Sequence, residues 1–387
     1  MTSSTDFIPF ALPDVGEAEA DAVAATIRSG WVTSGPAMRG FEQDFAGFVG
    51  GEVEAVAVNS ATAGLHLALE AIGVGPGDEV IVPTWTFTAT AEVVRYLGAT
   101  PVIVDVERNT LNISAEAVAA AVTPETKAVI PVHFAGLPVD LAELRAALGS
   151  DEIRIIEDAA HALPAIGTDG LVGRADASDA AVFSFYATKT ITTGEGGMIT
   201  TRHSEIAARC RVMRLHGIDR DAFDRYTSNK PSWAYDVVAP GYKYNMPDTA
   251  AAMGRIQLQK AHQMQRRRHE IADCYSAEFA ELPLMLPAAA PSGGMHSWHL
   301  YVLRLTDEAP RRDQFVAALA AQGIGTSVHF IPLHEHTYWR SFAPHPDATM
   351  PVAVEAAPRA VSLPIYSSMT DLQVERVVRA VCDVVAP

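Results

Sequence analysis

The stretch AVAVNSATAGLHLALEAI, residues 55–72, decides the fold class. Its first four residues are apolar, and after a short turn Leu65, Leu69 and Ile72 recur at helical spacing. The turn between them holds small and hydroxyl-bearing residues, with no proline or charge. A strand that passes through such a turn into a helix is the repeating unit of parallel sheets covered by helices. We therefore predict an α/β fold.

The same alternation of strand and helix patterns continues along the first two-thirds of the chain. Further strands are predicted at residues 80–82, 101–106, 128–132, 153–156 and 180–185, and helices at residues 89–97 and 115–121. A final strand at residues 198–201 is predicted to pair back as a hairpin after a glycine-rich turn.

A change of pattern after residue 249 indicates a second, smaller domain. A long helix is predicted at residues 249–280, followed by the linker LPAAAPSGG at residues 286–294. After the linker we expect a strand at residues 299–305, a helix at residues 312–321, another strand and a helix from Asp371. A chain of 387 residues exceeds the size of one ordinary core. We predict a large domain over residues 1–250 and a small domain over residues 251–387.

Composition and charge narrow the function classes. The chain is 49% hydrophobic and 19% charged, as in ordinary globular proteins, and its net charge of −17 opposes general affinity for nucleic acid or anionic membranes. The three cysteines are widely spaced and form no CxxC pair, which fits a reducing compartment. Neither a signal peptide pattern nor an apolar run long enough to span a bilayer is visible. We expect a cytoplasmic protein.

Lys189 is the first candidate for chemistry. It lies in SFYATKTITTGEGG, residues 184–197, directly after a predicted strand and before a turn of glycines and Glu195. Side chains in this position line the ligand sites of open α/β sheets. Taken alone, this environment is somewhat more typical of a lysine in an exposed loop.

Asp158 is the second candidate, because it ends the predicted strand in IIEDAAHA, residues 155–162. A carboxylate at a buried strand end needs a partner, since an unpaired buried charge costs several kcal/mol of desolvation. A protonated pyridine nitrogen is one such partner, and the pair would keep the ring an electron sink. The alternative is that Asp158 caps a following helix.

Two further segments suit a flat phosphorylated ligand. NSATAG, residues 59–64, precedes a predicted helix, where free N–H groups and the helix dipole favour a phosphate, and Ser184 could add a hydroxyl. Ordinary helix capping by Ser60 is the alternative. Phe87 follows another strand and could stack on a heteroaromatic ring, or it could belong to the hydrophobic core.

In this order, NSATAGLHLAL, PTWTFTATA, IIEDAAHA and FSFYATKTITTGEGG resemble the DegT/DnrJ/StrS sugar aminotransferases. SGWVTSGP, GYKYNMPD, VHFIPLH and SLPIY extend the resemblance over nearly the whole chain. The family depends on pyridoxal 5′-phosphate (PLP) and has the fold-type-I architecture. The resemblance therefore implies a mostly parallel central sheet with a smaller C-terminal α+β domain.

The resemblance also implies roles for individual residues. Lys189 would hold PLP as a Schiff base and then move the proton during the reaction. Dehydratase members carry His at this position, so the lysine indicates transamination. Asp158 would pair with the pyridine nitrogen, and His161 would lie near the phenolic oxygen. The remaining implied contacts are stacking by Phe87, phosphate binding by Ser60, Ala61, Thr62 and Ser184, and substrate contacts by Trp31, Thr33, Tyr186 and His329.

GYKYNM, residues 241–246, departs from the family's common GYNYRM. The Asn of that motif reaches the cofactor phosphate of the neighbouring subunit, and here Lys243 occupies its position and Asn245 that of the Arg. Either side chain could bond a phosphate. A shared site of this kind implies an obligate homodimer.

Two other patterns are set aside. The glycine-rich GVGPG, residues 73–77, follows a helix and precedes a strand, which is the reverse of the order in a dinucleotide-binding loop. The histidines invite a metal site, but His296 and His299 would point to opposite faces of a strand. No metal is expected, and His329 is assigned to the substrate pocket by the resemblance.

The resemblance implies a two-stage reaction in which L-glutamate aminates the cofactor to its pyridoxamine form (PMP), and a keto sugar linked to a nucleotide then takes the amine. C4 of a dTDP-4-keto-6-deoxyhexose, in antibiotic or surface-glycan synthesis, is the preferred acceptor. A UDP-4-keto-pentose, a 3-keto sugar and a keto-cyclitol of the scyllo-inosose type stay open. A PLP-binding protein without catalysis is the alternative from another class.

Overall fold

A twisted sheet of seven strands lies at the centre of the larger part of the protein. The structure is a computed structural model that describes residues 7–50, 52–168, 170–219 and 235–385. The sheet strands are β1 (Glu54–Val58), β2 (Glu79–Pro83), β3 (Thr100–Val104), β4 (Thr126–Val129), β5 (Arg154–Asp158), β8 (Ala180–Ser184) and β9 (Gly197–Thr201). The short strands β6 (Ile166–Gly167) and β7 (Gly170–Leu171) pair separately.

The strand order is β1-β9-β8-β5-β4-β2-β3. The pairs β5–β8, β4–β5, β2–β4 and β2–β3 are parallel, whereas β9 runs antiparallel to both of its neighbours. Phe183 pairs with Met198 in the β8–β9 register, so the predicted hairpin is confirmed. The predicted α/β class with a mostly parallel sheet is confirmed as well.

Helices cover the sheet, because its apolar strands are buried on both faces. In chain order they are α1 (Glu17–Arg28), α2 (Pro36–Val49), α3 (Ala61–Ala71), α4 (Ala89–Tyr96), α5 (Ala115–Ala121), α6 (Leu141–Leu148), α7 (Ser204–Met213) and α8 (Asp248–Glu278). One buried cluster joins α3, α4 and α7 to the sheet, and another joins α2 and the first half of α8 to its opposite side.

The second half of α8 belongs to a separate core. Ile271 and Tyr275 pack there against a three-stranded antiparallel sheet of β10 (Leu284–Met285), β11 (Tyr301–Leu305) and β12 (Ala360–Leu363). The chain then contributes α9 (Arg312–Ala321), α10 (Pro346–Thr349), α11 (Pro351–Ala356) and α12 (Asp371–Val385). The division at residues 250 and 251 falls inside the first turn of α8 and stays a prediction.

One strand prediction needs correction. β11 begins at Tyr301, two residues later than predicted, so His296 and His299 lie in the irregular segment before it. The alternating directions of strand side chains therefore do not determine where His296 and His299 point. In the described ranges, no helix is both long and apolar enough to cross a membrane.

Candidate active site

The site lies where several strands end at the carboxyl edge of the sheet. β5 ends at Asp158, β8 ends at Ser184, and β1 is followed at once by the first turn of α3. Parallel strands bring these ends to one edge, and the helices that follow point their N-termini towards it. Residues 155–162 and 184–197 are thereby brought beside residues 59–64.

Lys189 lies in a turn beyond β8 and is half-buried. Its N–H donates to the Tyr186 carbonyl at 2.9 Å, and Thr193 N–H donates to the Phe185 carbonyl at 3.0 Å, so the backbone closes back on the strand end. Burial lowers the pKa of the Lys189 amine to about 8, against the opposing attraction of Asp158. The exposed-loop alternative is therefore wrong, and the amine loses its proton at a pH well below the usual range of a lysine.

Asp158 is buried, with 6% of its surface exposed. Its Oδ2 accepts a hydrogen bond from Thr90 Oγ1 at 2.8 Å, and its Oδ1 accepts from Ala160 N–H at 3.1 Å. The helix-cap alternative is wrong, because residues 159–165 form no helix. Burial raises the pKa of Asp158, and Thr90, Ala160 and Lys189 oppose that rise. A cationic ring nitrogen beside it would keep the carboxylate ionised.

The N-terminus of α3 forms an anion site of backbone groups. Ser60 Oγ accepts from Ala63 N–H at 3.1 Å, so Ser60 does cap the helix. The N–H groups of Ala61 and Thr62 have no acceptor within the helix and are available to a phosphate. Gly197 packs against this turn so closely that a Cβ there would lie 2.8 Å from Ala61 N. Ser184 is partly exposed at the end of the neighbouring strand β8.

His161 is buried, and its tautomer follows from its contacts. Ala135 N–H donates to His161 Nδ1 at 3.2 Å, so the proton of the neutral ring resides on Nε2. Burial holds the pKa of His161 well below its usual range. The ring stacks on Phe330 with centroids 5.8 Å apart, and it lies 4.4 Å from the ring of the buried His299. His161 is thus a neutral donor held by packing.

Phe87 is not part of the hydrophobic core. Its side chain is 59% exposed, and its ring lies 6.0 Å from Phe330. The core alternative is therefore wrong, and the exposed face of the ring is available to a ligand. Tyr186, also exposed, lies in the Lys189 turn.

His329 lies near Lys189 on a segment from the smaller part of the protein. Its Nδ1 pairs with Ser362 Oγ at 2.9 Å, and its ring stacks on Phe10 at 5.1 Å. Burial, with the charge of Lys189 as a second cause, lowers the pKa of His329 to about 4. The ring is therefore neutral under physiological conditions and can exchange hydrogen bonds with a neutral sugar.

Trp31 and Thr33 belong to a different cluster, with Lys243 and Asn245. Asn245 Nδ2 donates to Ser34 Oγ at 2.7 Å, and Lys243 Nζ donates to Asn245 Oδ1 at 2.5 Å. Thr33 and Lys243 are exposed. The structure brings these four predicted residues together on the surface.

Asp248 holds this surface cluster in place. Its carboxylate accepts from the N–H groups of Gly35, Ala37 and Met38 at 2.7–3.0 Å, which caps α2 across more than 200 positions of sequence. The segment with Trp31 is thereby joined to the segment with Asn245.

Sequence reasoning missed three residues that support the site. Thr90 contacts Asp158, Phe330 stacks on His161, and Gln257 of α8 accepts from Thr192 N–H in the Lys189 turn at 3.1 Å. Of the three, only Thr90 could have been suspected from the sequence. Thr86 and Thr90 are four residues apart just after β2, at a strand end where ligands bind. Nothing in the sequence around Gln257 or Phe330 indicates which distant residue each contacts.

The residues at the strand ends fit PLP. The site offers a half-buried amine of lowered pKa, a buried carboxylate that needs a cation, a helix N-terminus for a phosphate and an exposed aromatic face. In the described part of the chain, no group of three or more His, Cys, Asp or Glu side chains could hold a metal.

A family model for the DegT/DnrJ/EryC1/StrS aminotransferase family matches residues 13–382. The chain belongs to this family. Among its relatives, the spore coat polysaccharide biosynthesis protein SpsC of Bacillus subtilis (strain 168) is 46% identical, with 98% of this chain and 97% of SpsC covered.

Solved structures of similar proteins agree with this membership. Spr1654 from Streptococcus pneumoniae, solved in a PMP form, superposes with a TM-score of 0.90 at 33% identity, covering 97% of this chain and 98% of that one. A PLP form of Spr1654 has also been solved. The sugar aminotransferase CalS13 from Micromonospora echinospora gives a TM-score of 0.86 at 30% identity, covering 97% and 99%. The protein is thus a PLP-dependent sugar aminotransferase.

Proposed function

We propose that this aminotransferase moves the amino group of L-glutamate to the keto carbon of a nucleotide sugar, with C4 of a dTDP-4-keto-6-deoxyhexose as its acceptor. The observation that carries the assignment as an aminotransferase is the half-buried amine of Lys189, with its lowered pKa, beside Asp158 at the edge of the sheet. The position C4 rests on the sequence resemblance to members that aminate C4, and the choice of a dTDP-linked deoxyhexose rests on the Ala- and Val-rich, Lys-poor composition. We place the reaction in the cytoplasm, in antibiotic or surface-glycan synthesis.

Lys189 and Asp158 are the proposed catalytic residues. PLP supplies an electron sink when bound. The Lys189 amine attaches the cofactor and then moves a proton at the carbon that gains or loses nitrogen, which its lowered pKa permits near neutral pH. Asp158 keeps the pyridine nitrogen protonated, and Thr90 holds the carboxylate in position for that contact.

Other residues are proposed to contact the phenolic oxygen, the phosphate and the ring face of the cofactor. His161 donates its Nε2 proton to the phenolic oxygen, since Nδ1 is already occupied by Ala135 N–H. Ala61, Thr62 and Ser184 bind the phosphate, and Ser60 acts mainly by capping α3. Phe87 stacks on one face of the ring.

We further propose that two subunits share each site. His329 and Tyr186 contact the substrate from the subunit that carries Lys189, whereas Trp31 and Thr33 approach from the partner. Lys243 is exposed at the end of the surface cluster and reaches the partner's cofactor phosphate, while Asn245 holds it there. This arrangement requires a homodimer.

The acceptor is tested by single-turnover titration. The enzyme is converted to its PMP form with L-glutamate and then mixed with dTDP-4-keto-6-deoxyglucose, a UDP-4-keto-pentose or scyllo-inosose. Recovery of the PLP absorbance with the dTDP sugar, and formation of its 4-amino product, is the expected result. Recovery with scyllo-inosose alone would refute the nucleotide-sugar assignment.

Lys189→Ala is the matching test for catalysis. This variant should lose the borohydride-sensitive absorbance and the transfer of nitrogen. The other proposed contacts to the cofactor should remain in place. Retained function in Lys189→Ala would instead identify a PLP-binding protein that does not use the amine.

A further inference from the structure

A second buried carboxylate lies next to Asp158 on the same strand. Glu157 is 2% exposed and immediately precedes Asp158 in β5. Successive side chains of a strand point to opposite faces of the sheet, so Glu157 faces away from the ligand that Asp158 would contact. A carboxylate buried in this way must be satisfied by the protein itself, because an unpaired one costs several kcal/mol of desolvation.

Two side chains from neighbouring segments satisfy Glu157. His133 Nε2 donates to Glu157 Oε2 at 2.7 Å, and Ser178 Oγ donates to Oε1. His133 and Ser178 are buried as well. Val139 N–H donates to His133 Nδ1 at 3.0 Å, so Nδ1 carries no proton and Nε2 is the donor to the carboxylate. The direction of each of these hydrogen bonds is thereby fixed.

The space beside this network is too small for an organic ligand. A cavity of about 20 Å³ adjoins His133 and Glu157, and small-molecule sites are more than ten times larger. The network therefore acts on the protein around it and not on a molecule bound within it.

The network lies where β5 is held on both sides. His133 N–H donates to the Asp158 carbonyl at 3.2 Å, and Asp158 N–H donates to the Pro131 carbonyl at 2.9 Å, so the residues after β4 hold the Asp158 backbone. Ser178 lies just before β8, the parallel neighbour of β5 on its other side. The Glu157 side chain thus joins the segments on both sides of the strand end.

Asp158 depends on this anchoring, because β5 ends at this residue and the chain then leaves the sheet. A charged hydrogen bond between a carboxylate and a ring nitrogen requires a distance of about 2.7–2.9 Å. A misplacement of about 1 Å in an active site can lower the rate about a hundredfold. Any movement of the strand end would carry the Asp158 carboxylate with it.

We propose that Glu157 is a positioning residue: with His133 and Ser178 it fixes the end of β5, so that the carboxylate of Asp158 faces the ring nitrogen of PLP. This inference rests on the proposed pairing of Asp158 with that nitrogen. It gives a role in the reaction to three buried polar side chains on the face of the sheet away from the cofactor.

Three variants separate hydrogen bonding from charge and from stability. Glu157→Gln can keep both hydrogen bonds, because its carbonyl accepts from His133 and its NH₂ group donates to Ser178. Glu157→Leu removes both hydrogen bonds. Asp179→Asn is the matched control, since Asp179 is also a buried carboxylate that joins β8 to β5, through Ile155 N–H at 2.8 Å, but at the opposite end of the strands.

Each protein is loaded with PLP isotopically labelled at the ring nitrogen and examined by NMR at neutral pH. In Glu157→Leu the nitrogen resonance should move towards that of unprotonated pyridine, and kcat should fall roughly tenfold to a hundredfold with little change in KM. Glu157→Gln should recover most of both losses. Asp179→Asn should lower the midpoint of urea unfolding without moving the resonance.

A wild-type resonance and kcat in Glu157→Leu would overturn the inference, whatever the loss of stability. Equal losses in Glu157→Gln and Glu157→Leu would overturn it as well, because the charge of the carboxylate would then matter and not its hydrogen bonds. If Glu157→Leu fails to fold, Ser178→Ala removes a single donor and should show the same changes on a smaller scale. No change in the resonance of Ser178→Ala would then overturn the inference.

Asp158→Asn distinguishes this inference from the proposed function on which it rests. If Asp158→Asn loses ring protonation and activity but Glu157→Leu keeps both, only the positioning role is wrong. If Asp158→Asn itself keeps both, the proposed role of Asp158 is wrong, and the inference is overturned with it.

Discussion

Lys189 differs from an ordinary surface lysine by its burial beside Asp158. Burial disfavours the charged amine, the carboxylate favours it, and the balance leaves a pKa of about 8. The same burial raises the pKa of Asp158. A protonated pyridine nitrogen beside Asp158 would supply the positive charge that its buried carboxylate needs.

The lowered pKa of Lys189 predicts how cofactor attachment depends on pH. Only the neutral amine attacks an aldehyde, and an unperturbed lysine has a pKa near 10.4. In apo-protein mixed with PLP, the attachment rate should rise about tenfold per pH unit up to about pH 8 and then level. Stopped-flow absorbance checks this. A rate still rising steeply at pH 9.5 would show that the amine is not desolvated.

Thr90 is predicted to act through Asp158. Thr90→Val keeps the shape of the side chain but removes the donor to Oδ2, so the pKa of Asp158 should rise further. A hydrogen bond to a charged group contributes about 1.5–3 kcal/mol, so kcat/KM should fall by roughly tenfold to a hundredfold. Thr90→Ser should recover most of the loss. A spectrum and pH profile unchanged in Thr90→Val would contradict this role.

The N-terminus of α3 combines a structural and a ligand function at the scale of one element. Ser60 caps α3 and Ser114 caps α5 in the same way, through a hydroxyl that accepts from the N–H three residues on. Loss of either cap should cost about 1 kcal/mol of stability.

Ser60→Ala and Ser114→Ala therefore form a matched pair. Both should lower the midpoint of urea unfolding to a similar extent, because both remove one cap. Only Ser60→Ala should also weaken PLP binding, since only α3 points its N-terminus at the site. Equal PLP affinity in the two variants would show that the α3 terminus does not hold the phosphate.

Helices α1 and α8 are joined by a buried carboxylate that supports the Lys189 turn. Glu19 Oε1 accepts from Lys260 Nζ at 2.6 Å and from Gln257 Nε2 at 2.9 Å, and Gln257 Oε1 in turn accepts from Thr192 N–H. Burial would raise the pKa of Glu19, but these donors outweigh burial and lower it to about 2.

Because the folded-state pKa of Glu19 lies below its unfolded value of 4.5, the stability it adds is present above that value. That stability is lost as pH falls from about 4.5 towards 2. Glu19→Gln should cost about 2 kcal/mol at pH 7, and the difference from the wild type should shrink by pH 3. Urea unfolding at both pH values measures this. A difference independent of pH would exclude the ionised contact.

At the scale of the whole molecule, the surface cluster with Lys243 predicts complementation between subunits. Lys189→Ala and Lys243→Ala homodimers should each be weakly active. In a mixed dimer the Lys189 of one subunit meets the Lys243 of the other, so one site is complete. Unfolding and refolding an equal mixture should recover about a quarter of wild-type activity, as expected for random pairing in a twofold dimer. If the refolded mixture of the two variants recovered no activity, the proposal of a site shared between subunits would be contradicted.

The local spacing of apolar residues was sufficient to predict most of the strands and helices. Strand and helix periodicity located the seven sheet strands and the long helix to within a few residues. Both patterns depend only on residues that are close together in the sequence. The late start of β11 at Tyr301 is an exception, since Leu300 N–H donates to the distant Ala135 carbonyl and not to a strand of the small sheet.

By itself the sequence determined the α/β class, the positions of Lys189 and Asp158 at strand ends, and the family. Each of these depends on residue types at short spacing. Only the tertiary structure decided that Asp158 is no helix cap, that Phe87 is exposed, and that Thr90, Gln257 and Phe330 support the site. The reason is physical: burial, tautomer and pKa are set by atoms far apart in the chain, and they take their values only once the strands are paired.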